Sequence, residues 1–150
     1  MAAGTLYSAQ RTNEIAVPAV PNKPDTCGVV VRKYFSGTVA GTDVAVGTTI
    51  SLCKIPKGAR IMGGKWYNDG TFAGAGVTID IGDGTTADRF ADGIDVSGEN
   101  FTEIPNAAGE GGTGYGHLCT AETEIIATTI GDVIVADGVY KGHIDYIGGG

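Results

Sequence analysis

Leucine is nearly missing from this chain, standing only at Leu6, Leu52 and Leu118. Valine, isoleucine, threonine and glycine dominate instead, a balance that favours strands over helices. Histidine occurs only as His117 and His143, and no G-x-S-x-G elbow is present, so acid–base and triad chemistry have few candidates. Cations are scarce too. Ten Lys and Arg face seventeen Asp and Glu, for a net charge of −7, which argues against a phosphate backbone as partner. Apolar runs fall far short of a membrane span. The opening MAAGTLYSAQR has no apolar centre and reads as non-secretory. Cys27, Cys53 and Cys119 are odd in number, which argues against a disulfide framework.

What is present fits one β domain with a real core. The chain has 150 residues, 42% of them hydrophobic, with 26 glycines as punctuation. Residues 1–27 read as an extended arm, because Pro18, Pro21 and Pro24 exclude a regular helix. Such an arm is either disordered or laid along a neighbouring subunit, with Leu6, Tyr7, Arg11, Ile15, Val17 and Val20 as the candidate contacts. Residues 28–150 form the expected β-sandwich domain.

Within that domain the stretch 47–97 organises the rest. Strands are expected over 28–35, 43–55 and 59–67, with a Pro56-Lys57-Gly58 turn before the third. In the second, Val46, Ile50 and Leu52 share one parity and Thr49, Ser51 and Cys53 the other. Gly63 and Gly64 predict a bulge or a close backbone approach inside the third. Val77, Ile79 and Ile81 alternate with Thr78 and Asp80, the clearest half-buried strand. Thr85 and Asp88 suit a single capped helical turn through Phe90. In residues 94–104, Ile94, Val96, Phe101 and Ile104 are expected to anchor to the core. Further strands are expected over 115–120, 124–129 and 139–147, with an apolar patch at Val133, Ile134 and Val135. In the last strand Tyr140, Ile144 and Tyr146 face one way, and Lys141, His143 and Asp145 the other. About eight short strands between turns predict an all-β, jelly-roll-like sandwich.

Several motifs fit chemistry only in part. Residues 82–87 match G-x-G-x-x-A, but a dinucleotide site needs a long helix next, and Gly93 interrupts it. Gly58 to Lys65 fails as a P-loop, because Trp66 follows where Ser or Thr belongs. Asp80, Asp83, Asp88, Asp92 and Asp95 crowd one region; turn and cap roles compete there with a cation site. His117 and Cys119 share a strand face, and a zinc site would need His143 and another ligand. Trp66, Tyr67 and Tyr115 could stack on a sugar, against a reading of Trp66 as core and Tyr67 as rim. No catalytic, cofactor or metal residues are assigned.

The central pattern resembles one family. Residues 50–61, ISLCKIPKGARI, resemble the apolar hairpin with a Pro-Lys/Ala-Gly-Ala-Arg turn found in small tailed-phage virion proteins. Ile81 to Gly84, Ala87 to Phe90, the late Ile144-Asp145-Tyr146 and the early Arg11-Thr12 with its prolines resemble it further. The family is a loose group of bacteriophage capsid decoration, or cement, proteins and related minor structural proteins. The resemblance implies a β-sandwich or jelly roll without catalytic residues. It also implies a homo-oligomer, a dimer or trimer, bound to the major capsid protein on the outside of the shell. Such a protein would be made in the host cytoplasm and would contact neither nucleic acid nor membrane. The alternative is a carbohydrate- or receptor-binding module of a head fibre or tail.

Overall fold

The computed structural model describes residues 30–39, 45–69, 76–105, 114–132 and 138–148. The arm, with Leu6, Tyr7, Arg11, Ile15, Val17 and Val20, lies outside the described residues. So do Cys27, the start of the expected first strand, and the patch at Val133, Ile134 and Val135.

Eight strands form the described fold: β1 (Val30–Val39), β2 (Thr49–Ile55), β3 (Ala59–Asn68), β4 (Thr78–Gly82), β5 (Ala91–Asp95), β6 (Asn100–Ile104), β7 (Thr123–Ile130) and β8 (Gly138–Gly148). They make two four-stranded antiparallel sheets, ordered β1-β8-β3-β6 and β2-β7-β4-β5. The pairs are nested, first with last, second with seventh, third with sixth, fourth with fifth. A jelly roll, which wraps one long antiparallel ribbon into two sheets, requires that nesting.

The core lies between the sheets and is β-branched and aromatic. Phe35, Ile61, Trp66 and Ile144 enter from the first sheet, and Ile55, Ile79, Ile81 and Ile125 from the second, all buried. β4 and β8 keep the alternation expected of them. Val77, Ile79 and Ile81 point in, as do Ile144 and Tyr146, while Lys141, His143 and Asp145 line the outside.

Three register shifts break the pattern elsewhere, in β3, in β2 and, opposite β4, in β5. In β3 the register shifts between Ile61 and Gly63, so Ala59 and Ile61 point inward, and after the bulge Trp66 and Asn68 do. The glycine pair is the reason the strand looked irregular. Gly63 takes φ +150°, and a Cβ on Gly64 would overlap the carbonyl of His143. In β2 the register shifts between Ser51 and Cys53. This corrects the single parity expected of that strand: Ile50, Leu52 and Cys53 all touch the core, and Val46 is exposed.

Other expectations are met in part. Of the anchors expected in residues 94–104, Ile94, Val96 and Ile104 are buried in the core, whereas Phe101 on β6 is 62% exposed. The strand expected over 115–120 is a single bridge, Arg60 to Leu118. Backbone bonds from Ile61 to His117 (3.0 Å) and from Cys119 to Ala59 (2.8 Å) hold it beside the first half of β3. β6 occupies the second half.

The turn after β4 is organised by Asp83, not by a helix cap at Thr85. Its Oδ1 accepts the amides of Thr85 and Thr86, both at 2.8 Å, and its Oδ2 accepts Arg89 Nε at 2.6 Å. Burial alone pushes this carboxyl up. The Thr86 and Thr85 amides and the Arg89 guanidinium outweigh it, so the pKa lies below the usual carboxylate value. A lowered folded-state pKa adds stability that is complete at neutral pH and is lost as pH falls from about 4 through the folded value. Asp83→Asn is therefore expected to cost about 2 kcal/mol at neutral pH and to flatten the acid limb. Thermal unfolding from pH 7 to pH 3 checks this; parallel acid limbs in both proteins would rule it out.

Candidate functional site

The outer face of the first sheet gathers exposed rings and cations. Strand registers place its side chains in two rows. One row runs Tyr34, His143, Lys65, Glu103 across β1, β8, β3 and β6; the next runs Ser36, Lys141, Tyr67, Phe101. The alternation that buries Phe35, Ile144 and Trp66 inward necessarily turns these neighbours outward. A concavity of about 630 Å³ lies over them.

The rows are internally braced. Lys65 Nζ sits 4.9 Å from the centre of the Phe101 ring, and Lys141 Nζ 5.0 Å from that of Tyr67. Tyr34 meets His143 edge-on at 5.8 Å. The Tyr67 hydroxyl donates to Glu99 at 3.1 Å. At one end Arg32 grips Asp145 through two bonds of 2.8 and 2.9 Å. Burial and the Arg32 charge push the His143 imidazole below its ordinary pKa, against the pull of Asp145. The cations over the concavity are the two lysines.

The sugar-stacking candidates separate. Trp66 has no exposed surface; it stacks on Tyr140 at 5.4 Å and donates to Asn68 at 3.0 Å. That bears out the reading of Trp66 as a core residue and removes it from any stacking on a ligand. Tyr67 lies on the outer face, and Tyr115, 61% exposed, lies in a neighbouring hollow with Arg32, Lys65 and Asp145. Tyr34, Phe101, Lys65 and Lys141 escaped the sequence reading, because only strand register brings them together.

The residues weighed for a zinc site are not brought together. His117 lies against Phe90 and 3.9 Å from Asp83, whereas His143 sits on the outer face with Tyr34. Cys119 is buried, and burial pushes its thiol up. Among the described residues no group of three His, Cys, Asp or Glu side chains is placed to hold a metal ion. Within the aspartate cluster, Asp80 accepts the Gly93 amide and Asp95 the Ser97 amide, both at 2.9 Å. The G-x-G-x-x-A stretch leads into the Asp83 turn and then β5, not into the helix a dinucleotide needs.

No family model matches the chain, and no curated protein matches its sequence. Solved structures do. A chain of the cyanophage Pam1 capsid asymmetric unit superposes with a TM-score of 0.63 at 20% identity, covering 79% of this chain and 84% of that one. A chain from the capsid of Ralstonia phage GP4 gives 0.65 at 14% identity, over 87% of this chain and 90% of that one. At such identities the likeness is one of fold.

Proposed function

We propose that this protein is a non-enzymatic structural protein of a phage virion, a decoration or cement protein that binds the outside of the capsid shell. The observation that carries the reading is the fold likeness to two phage capsid chains over nearly their whole length. A sandwich with four edge strands suits the role, since among the described residues β1, β6, β2 and β5 each pair with another strand along one side only. Homo-oligomerisation, as a dimer or trimer, would cover some of those edges.

The division into an arm, residues 1–27, and a sandwich, residues 28–150, belongs to this proposal. The arm would extend over a neighbouring major capsid protein through Leu6, Tyr7, Arg11, Ile15, Val17 and Val20. Many weak arms held in register by one shell gain avidity without any single strong contact. The net charge of −7 suits a protein on the outer surface that stiffens the shell without touching the DNA inside.

Co-sedimentation with undecorated shells of the parent phage tests this, using the full chain and a form lacking residues 1–27. The full chain is expected to pellet with shells and the shortened form to do so at least tenfold more weakly. Equal binding by both would remove the arm from the role. A folded protein that pellets in neither form would sink the decoration reading.

A second reading, a carbohydrate- or receptor-binding module of the particle, is favoured by one observation. The ring-and-lysine face is exposed on the sheet opposite the core side.

A further inference from the structure

On the outer face of the first sheet, Glu99, Glu103 and Asp145 stand at the borders of the concavity and do not line it. The chain carries −7 overall, yet the charged side chains that line the concavity are Lys65 and Lys141. Glu103 reaches Lys65 only from the rim, at 3.8 Å, with its own side chain 80% exposed. An exposed pair of that kind is worth little and leaves the ammonium available. Tyr34 is 72% exposed and Phe101 62%, so large apolar rings face water beside those cations.

We propose that this face binds an acidic oligosaccharide, a short run of sugars that carry carboxylates. The flat rings of Tyr34, Tyr67 and Phe101 offer stacking surfaces to the apolar faces of pyranose rings. Lys65 and Lys141 lie between them, where they can meet carboxylates, and the Ser36 hydroxyl can meet sugar hydroxyls. Tyr34 and Phe101 stand on the outermost strands of the sheet, three strand steps apart. At about 4.8 Å per step that is about 14 Å, the reach of a short oligosaccharide rather than of one sugar. The concavity of about 630 Å³ falls within the usual range for small-ligand sites.

An acidic peptide is the competing occupant, and the floor of the site disfavours it. β8 and β3 run through the middle of the sheet, and their backbone groups are paired on both sides. A peptide lying across the face would find rings and ammoniums but no backbone partners for its own amides. A saccharide has no such amides to satisfy. The proposal does not depend on attachment to a shell, because the site is complete within one copy of the chain.

Titration calorimetry of the full chain with trigalacturonic acid tests it, with maltotriose as the neutral comparator and hexaglutamate as the acidic peptide. Saturable binding of trigalacturonic acid is expected, weakened by added salt and at least tenfold stronger than either comparator. Lys141→Gln and Phe101→Ala should each weaken it about tenfold. Both side chains are exposed, so circular dichroism should match the parent protein. Val46→Ala, at an exposed position before β2, should leave the binding unchanged. Absence of saturable binding would overturn the proposal. So would equal binding of maltotriose or hexaglutamate, or affinity that survives both Lys141→Gln and Phe101→Ala.

Discussion

Trp66→Ala is expected to lower the unfolding free energy by about 4 kcal/mol, a large share of the roughly 5–15 kcal/mol that holds a domain together. The indole is fully buried, stacks on Tyr140 with an interplanar angle of 2°, and lies 6.1 Å from the Phe35 ring. Truncation would empty the largest side-chain volume in the core. It would also strip Asn68 Oδ1 of its indole donor. That amide is fixed by bonds from Nδ2 to the carbonyls of Gly98 (2.7 Å) and Asp69 (3.1 Å), so it cannot easily turn to another partner. Trp66→Phe separates the two effects, since it keeps a ring and removes the donor. It should cost about 1–3 kcal/mol, the desolvation penalty of an orphaned buried acceptor plus some lost volume. Urea titrations followed by circular dichroism measure both. A Trp66→Ala protein within 1 kcal/mol of the parent would mean that Trp66 is not the centre of this core.

Gly64→Ala should cost about 3 kcal/mol, although it adds a single methyl group. Its new Cβ would meet the carbonyl of His143, a backbone atom that no rotamer change can move. Relief would require β3 and β8 to separate, and that pairing carries the middle of the first sheet. Gly98→Ala is the matched control. A Cβ there meets nothing within 4 Å and the backbone is not left-handed, so stability should hold within about 0.5 kcal/mol. If both substitutions cost the same, strand separation at Gly64 is not the cause. The outer-face titration should be affected by Gly64→Ala as well, since Lys65 is its neighbour and part of the site.

The sequence made the sandwich legible where one face is cleanly buried. β4 and β8 alternate without interruption, and their inward residues are the ones the spacing indicated. β3 was legible in extent but not in phase, because the bulge at Gly63 exchanges its faces midway. β5 and β6 were obscure for a different reason. They are short edge strands whose Asp92, Gly93, Asn100 and Glu103 dilute the apolar signal. Phe101 misled because its ring suggested burial, and only its opposition to Tyr67 across β3 shows which face it serves. The binding face was barely legible at all. Its residues come from four strands separated widely along the chain, so no local spacing connects Tyr34 with Lys65, Phe101 and Lys141.

The nested order of the strands also sets a timetable. β4 and β5 are joined by the short connection 83–90, so that hairpin can close on its own as soon as it exists. The outer pairs close over ever longer spans, and Arg32 and Asp145 find each other across 113 residues. Among the described strands, β1 is the first to leave the ribosome and β8, its partner in the sheet, is the last. At about 5–20 residues per second, the early strand waits on the order of ten seconds with its backbone unclaimed. During that wait another nascent copy can supply the missing neighbour, so strand exchange between copies competes with solitary folding at birth.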